Sequence, residues 1–156
     1  MRTSSATSTG TAGTLVFVGR ENKHTAPRLS LDSEIIVARE KYGRYKGFYS
    51  VTAGNKNSTD RSSEHTARRE VSEELGKDFS RNFFKFVFNM NRTPIFITYV
   101  RSGRFVQNRE TEYPVDIKLR TFYNNRNKIT DTKGNIVPVS TFLYRTVRKL
   151  LFLVNL

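Results

Sequence analysis

The sequence predicts one layered α/β domain, and three observations predict it. Short apolar runs rich in β-branched and aromatic residues fall into two groups, one in each half of the chain. Between the groups lies a helix-patterned segment, Glu64 to Glu74. The chain closes on a second such stretch, Ser140 to Val154. Strands, helix, strands, helix is the order expected of a sheet covered by helices. A length of 156 residues suits a single domain able to bury its own core. No internal repeat is visible.

Each element has a local reason. The opening MRTSSATSTGTAGT is small and polar, with no apolar stretch of the signal-peptide kind, so residues 1–12 read as a disordered arm and 13–156 as the domain. Thr14 to Gly19 (TLVFVG) and Glu34 to Ala38 (EIIVA) read as strands, joined by a polar, proline-containing loop. Gly47 to Ala53 (GFYSVTA) reads as a third strand that leads into the helical segment. Ser62 or Ser63 can cap that helix and Gly76 can end it, while Ala67, Val71 and Leu75 recur at i+4 and face the core. Phe83 to Phe88 and Pro94 to Val100 flank the turn-like NMNRT and read as a hairpin. Ile117 to Tyr123 suggests a further strand. Ser140 to Val154 reads as a helix docked on the sheet, with membrane-surface binding as the alternative for its basic, apolar pattern.

Composition removes several chemistries. With no cysteine there is no disulfide, thiolate nucleophile or cysteine-ligated zinc, a usage compatible with a reducing cytosol or nucleus. Only two histidines, His24 and His65, make a histidine metal site or a serine triad improbable. The apolar C-terminal stretch contains Arg145, Arg148 and Lys149 and is too short and too charged to span a bilayer.

The carboxylates are unevenly placed. Lys and Arg number 27 against 14 Asp and Glu, a net charge of +13, yet four of those acids sit between Glu64 and Glu74. On a helix, Glu70, Glu73 and Glu74 fall at i, i+3 and i+4 and project from one side. At about 6 Å, each like-charged pair costs roughly 0.7–3 kcal/mol for effective dielectrics between 80 and 20. A hard divalent cation turns that repulsion into ligation, and a solvated helix face is the alternative.

The segment GNKNSTDRSSEHTARREVSEELGK, residues 54–77, resembles the signature box of the Nudix hydrolase family. That pattern runs Gly, five residues, Glu, seven residues, then Arg-Glu-aliphatic-x-Glu-Glu-x-Gly-aliphatic. Arg69 to Gly76 (REVSEELG) matches its second half at every specified position up to the glycine, and Gly54 stands where a preceding glycine is usual. Three positions depart: Asn55 replaces the first patterned Gly, Arg61 the isolated Glu, and Lys77 the final aliphatic. Asn55 tolerates a left-handed turn better than most residues, and Lys77 suits the negative end of the helix. Arg61 reverses the charge of a residue that supports the family's metal site, so a weakened site is expected, with Asp60 or Glu64 as possible substitutes.

The resemblance implies a layered α/β/α sandwich with a mixed sheet, a catalytic helix and a C-terminal helix. It also implies Mg²⁺- or Mn²⁺-dependent hydrolysis of a diphosphate linkage in a nucleoside diphosphate joined to another moiety. Glu70, Glu73, Glu74 and the Gly54 carbonyl would hold the metal, Glu70 or Glu74 would activate water, and Arg69 would hold the glutamates by ion pairing. A further carboxylate from a later loop is common in the family, and Glu110 and Glu112 are the candidates. Substrate contacts must come from elsewhere. In Arg39 to Ser50, the cations Arg39, Arg44 and Lys46 interleave with Tyr45 and other rings, a composition that suits phosphates and bases; a strand with a solvated basic loop is the competing reading. Arg120 to Lys128 is a second basic-aromatic run. So much positive charge favours a long phosphate backbone, hence capped RNA (messenger RNA decapping) over a small nucleotide. The expected setting is the cytoplasm, or the host cytoplasm for a viral member, without a membrane partner. A catalytically impaired RNA-binding module on the same scaffold is the non-enzymatic alternative.

Overall fold

Alternation along the central strands decides the architecture. The computed structural model of the chain describes residues 10–19, 28–76, 78–100 and 111–156, excluding the side chains of 111–113. In β1 (Thr11–Val18), Leu15 and Phe17 enter one buried cluster while Ala12 and Val16 enter another, as a period of two requires. The same split occurs in β2 (Glu34–Glu40), where Ile35 and Val37 oppose Ile36 and Ala38. Both faces of the sheet are therefore covered.

Among the described residues seven strands form one sheet. Besides β1 and β2 these are β3 (Tyr49–Ser50), β4 (Thr52–Asn55), β5 (Lys85–Met90), β6 (Thr93–Val100) and β7 (Thr111–Lys118). The path runs β3-β2-β1-β6-β5, with β4 beside β1 and β7 beside β2. β1 and β6 are parallel and the other pairs antiparallel, so the sheet is mixed. Helix α1 (Ser63–Leu75) packs Ala67, Val71 and Leu75 on one face, and α2 (Thr141–Leu153) packs Leu143, Val147, Leu150 and Leu151 on the other. Each buried Val or Leu among them contributes roughly 1.5–3 kcal/mol. The expected α/β/α sandwich is what forms.

Caps fix both helices. Ser62 Oγ accepts from His65 N at 3.1 Å, and Gly76, at φ 66°, ends α1 with its N–H on the Ser72 carbonyl. Ser140 Oγ accepts from Leu143 N at 3.0 Å at the start of α2. Lys77 lies outside the described residues.

Several boundaries differ from expectation. β1 starts at Thr11, two residues inside the expected arm, with Ala12 fully buried; residues 1–9 lie outside the described residues. The single strand expected over 47–53 is two short ones, β3 on β2 and β4 on β1. The strand expected to reach Tyr123 ends at Lys118, and Leu119–Tyr123 is a 3₁₀ helix. Leu119 and Phe122 are both fully buried, and the three-residue period of that helix puts them on one side, where a strand would separate them. The β5–β6 hairpin closes through Asn91 and Arg92, at φ 48° and 68°, a two-residue turn whose twist matches the strands.

Candidate active site

Strand β4 brings Gly54 against the middle of α1. A Cβ built on Gly54 would lie 2.0–2.3 Å from the Glu70 carboxylate. Glycine is needed there for close approach rather than for an unusual turn. Asn55, the neighbouring departure, is the last residue of β4 paired with Thr11, and it is not among the described residues with positive φ. The left-handed turn expected of it does not form.

Arg69 organises the surroundings. Its Nε donates to Asp60 Oδ1 at 3.1 Å and its Nη2 to Asp60 Oδ2 at 2.9 Å, a forked pair. Nη1 donates to Glu70 Oε1 at 3.0 Å and to Glu73 Oε2 at 3.2 Å, and Nη2 also reaches the Asn55 carbonyl at 2.7 Å. One cation thus ties the loop after β4 to two glutamates of the helix.

Asp60 is the partner that spacing alone did not identify. Its side chain is fully buried, and Oδ2 also accepts from Asn57 N at 2.9 Å and Thr66 Oγ1 at 3.0 Å. The Arg69 guanidinium holds the Asp60 carboxyl well below the usual carboxylate range, against the opposing effect of burial. Asp60 in turn raises Arg69 above its ordinary value, with burial opposing. Asn57 Oδ1 accepts from Thr59 N and Asp60 N, so the loop itself aims Asp60 inward. Arg61 points to solvent, and its backbone N donates to His65 Nδ1 at 3.1 Å. Glu64 is exposed and pairs with Arg68 at 3.3 Å. Of the two substitutes considered, Asp60 is the one bonded to Arg69.

The three box glutamates do not behave alike. Glu70 and Glu74 are buried, 8% and 4% exposed, whereas the Glu73 side chain is 48% exposed and held by Arg69. Among the described residues no three histidine or carboxylate side chains already converge as a cage for a metal ion. Glu70 and Glu73 both accept from Arg69 Nη1, and the glutamates of this side differ in burial, Glu70 and Glu74 being buried and Glu73 half exposed. The donor set still fits a hard divalent cation. Carboxylates of Glu70 and Glu74 and the adjacent Gly54 backbone offer only oxygen, and the space a Cβ would fill is taken by a carboxylate. Glu110 lies outside the described residues; Glu112 has its backbone in β7, opposite Arg39, with its side chain outside the description.

A cleft of about 800 Å³ connects this region to the basic-aromatic loop. Gly54, Asn55 and Glu74 line it together with Tyr42, Arg44 and Tyr45 from the β2–β3 connection and Phe142 and Arg145 from α2. Tyr45 stacks on Phe142 at 6.3 Å between ring centroids, which ties the loop to the helix. Arg44 and Tyr45 thus line the same cleft as Glu74. Arg39 and Lys46 are not among the lining residues: Arg39 is half-buried in β2 opposite Tyr49, and Lys46 is exposed in the turn before Gly47. In the run from Arg120 to Lys128, Phe122 is fully buried, while Arg120 forms an exposed ion pair with Asp32 at 2.8 Å and Tyr123 and Lys128 are exposed. Sequence reasoning missed Asp60 as the settled partner, and Phe142 and Arg145 as cleft residues; no local signal distinguishes an arginine of α2 that faces a cleft.

Comparison with protein-family models gives no match, and comparison with curated protein sequences gives none either. Solved structures do match. A MutT/nudix family protein from Enterococcus faecalis aligns with 99% of this chain at 12% identity and a TM-score of 0.59, and the chain spans 65% of that protein's length. A Nudix hydrolase from M. smegmatis aligns with 95% of this chain and 86% of its own, at 12% identity and a TM-score of 0.59. A C. elegans Ap4A hydrolase binary complex aligns with 94% of this chain and 98% of its own, at 14% identity and a TM-score of 0.53. At such identities the likeness is one of fold: the chain has the Nudix fold.

Proposed function

We propose that the protein is a divalent-metal-dependent Nudix hydrolase that cleaves a diphosphate linkage, with the 5′ cap of RNA as its favoured substrate. The observation that carries the reading is the shared cleft, where Glu74 and Gly54 of the box lie with Arg44, Tyr45 and Arg145. Glu70, Glu74 and the Gly54 carbonyl would hold Mg²⁺ or Mn²⁺, with Glu73 joining if Arg69 releases it. When bound, the metal supplies positive charge for the phosphate oxygens and lowers the pKa of water. The protein's own residues do the rest. Glu70 or Glu74 accepts a proton from the attacking water, Arg69 keeps Glu70 in place, and Asp60 positions Arg69 from beneath. Arg44 and Arg145 attract the phosphates.

Asp60 also answers the non-enzymatic alternative. The doubt raised by Arg61 was loss of the supporting carboxylate, and a buried carboxylate stands one residue earlier. A small-nucleotide pyrophosphatase is the second reading, favoured by the likeness to a protein described as an Ap4A hydrolase. The net charge of +13 favours the RNA reading, because a long phosphate backbone gains more from it than a single nucleotide does. The cytoplasm, of a host cell if the protein is viral, is the proposed setting. No helix among the described residues is long and apolar enough to cross a membrane.

The test is a product screen with Mg²⁺ or Mn²⁺ over capped RNA, dinucleoside polyphosphates, ADP-ribose and nucleoside triphosphates. Capped RNA should give a nucleoside diphosphate and a 5′-monophosphate end. Efficient cleavage of a small substrate with no gain from RNA length would move the assignment to the second reading. Turnover that persists without divalent metal would overturn both.

A further inference from the structure

The last turn of α2 ends on exposed apolar side chains. The inner face of the helix is taken up by the core through Leu143, Val147, Leu150 and Leu151, yet Phe152, Leu153 and Val154 follow at 80%, 50% and 40% exposure. Apolar residues scattered singly over a surface are ordinary, whereas three in succession beside a fourth exposed ring make a patch. That ring is Tyr123, whose hydroxyl donates to the Leu156 carbonyl and whose centroid lies 5.6 Å from the Arg148 guanidinium carbon. Arg148 and Phe152 are one turn apart on α2, so cation, ring and apolar tip share one side of the helix. The charge around them is of one sign. Arg145, Arg148 and Lys149 are exposed along α2, and from Thr132 to Leu156 there is no Asp or Glu. Arg148 and Lys149 donate to the backbone carbonyls of Phe122 and Asn89, each at 3.0 Å, contacts that hold these side chains without neutralising them.

We propose that this end of α2 is a docking surface for an anionic membrane, with Phe152, Leu153 and Val154 entering the headgroup boundary and Arg148 and Lys149 meeting the lipid charges. The proposal departs from the expectation of no membrane partner and takes up the alternative given for Ser140 to Val154. The contact is with the surface alone, since no helix among the described residues is long and apolar enough to cross. An apolar tip or a few cations holds a protein weakly, and the two together make the anchor. Tyr123 adds a ring suited to the interface, apolar in its body and polar at its end. Charge decides against a second copy, because a shared patch would bring two sets of the same cations together. Shape decides against RNA: bases stack on rings, and Leu153 and Val154 offer none. Phe142 and Arg145, which line the cleft, belong to the first turns of α2, and Phe152 lies about 15 Å further along the axis than Phe142. The two surfaces therefore do not overlap.

The experiment is cosedimentation of the full chain with vesicles of phosphatidylcholine alone and of phosphatidylcholine mixed with phosphatidylserine. Wild type should partition at least about tenfold more strongly onto the anionic vesicles, the effect of two cations near a charged surface. Lys149→Ala should lose about fivefold there, the part that one cation contributes. Phe152→Ser combined with Leu153→Ser should lose at least about tenfold, because less apolar area leaves water on docking. The chain has no tryptophan, so Phe152→Trp places a single indole in the patch. Its emission should shift to the blue with anionic vesicles and stay unshifted with single-stranded RNA. Equal partition of wild type onto the two kinds of vesicle would overturn the proposal, and so would a double variant that sediments as wild type does. An indole that shifts with RNA but not with vesicles would assign the patch to nucleic acid. Self-association of wild type that the double variant loses, measured by analytical ultracentrifugation, would assign it to a second copy. Either result would overturn the membrane surface.

Discussion

On the α1 side of the cleft the residues that matter are close in sequence: Gly54, Asp60, Arg69, Glu70 and Glu74 lie on one strand end, one loop and one helix. On the other side they are far apart, Tyr42 and Arg44 following β2 while Phe142 and Arg145 open α2, and they meet because Tyr49 exchanges backbone hydrogen bonds with Pro138 and Ser140 and Tyr45 stacks on Phe142. The first wall is braced by a buried forked ion pair. The second carries one exposed ring, Tyr42, two half-buried rings stacked on each other, and the exposed Arg44 and Arg145. Chemistry needs the stiffness of the first wall, and recognition tolerates the looseness of the second. Variants on the two walls should therefore fail differently, in turnover on one side and in affinity on the other.

The sharpest break of that comparison is at Glu74. Replacing the buried carboxylate by Gln keeps its shape and removes its charge, and the hydrolysis rate should fall by at least about a hundredfold. Glu73→Gln, on an exposed side chain held by Arg69, should cost less than Glu74→Gln. Steady-state turnover of capped RNA checks both. Equal rates for Glu74→Gln and wild type would make the buried glutamates structural.

Asp60→Ala comes next. It leaves Arg69 without its forked partner, and because Arg69 keeps Glu70, Glu73 and the Asn55 carbonyl the loss should be about 1–3 kcal/mol of stability. Urea unfolding measures it, and turnover should fall with it because Glu70 loses its brace. The acid limb gives a second handle. Asp60 binds its proton less readily in the folded protein than in the unfolded chain, whose pKa is about 3.9. The unfolded state therefore takes up more protons below that pH. The Asp60 contribution is present above about pH 4 and is lost as pH falls toward the lowered native value. The stability gap between wild type and Asp60→Asn should narrow on acidification below pH 4, and a constant gap would deny the ion pair its role.

This contrast also explains what could be read in advance. The helix α1, its caps and the inward stripe of Ala67, Val71 and Leu75 were legible because local periodicity sets them. So was the order of layers, since the strands and helices alternate along the chain. The 3₁₀ turn at Leu119–Tyr123 was not, because what decides it is burial of Phe122 against the α2 face of the sheet, a tertiary effect. Asp60 was legible only as a candidate: that its carboxylate enters the core depends on the turn at Asn57. Arg145 could not be separated from Arg148 and Lys149 by pattern, because all three are cations spaced along one helix.

On the recognition wall the expected effect is smaller and electrostatic. If RNA phosphates lie along it, log affinity should fall with log salt by roughly 0.7 per phosphate contact on a single strand. Arg44→Ala and Arg145→Ala should each flatten the slope by about that amount, while Lys46→Ala, outside the cleft lining, should change it less. Salt titration of RNA binding decides it. A steeper loss at Lys46 than at Arg145 would place the RNA path outside the cleft.

The smallest effect is expected at the most conspicuous sequence departure. Arg61→Glu restores the family's charge at that position, and a site that lacked its supporting carboxylate would gain from it. Here the role is filled. Arg69 already has both Asp60 oxygens, and Arg61 is exposed with only its backbone N engaged in the hydrogen bond to His65. A new carboxylate at 61 would gain slightly from the nearby N-terminus of α1, by about 0.3–1 kcal/mol, and lose some of that to repulsion from Asp60. Stability should stay within about 0.5 kcal/mol of wild type, and turnover within about threefold. Measured in the Asp60→Asn background, the same substitution should help more, since the two carboxylates would then be alternatives for one guanidinium. A tenfold gain from Arg61→Glu alone would show that Asp60 does not fill the role, and that the brace of the α1 wall is incomplete.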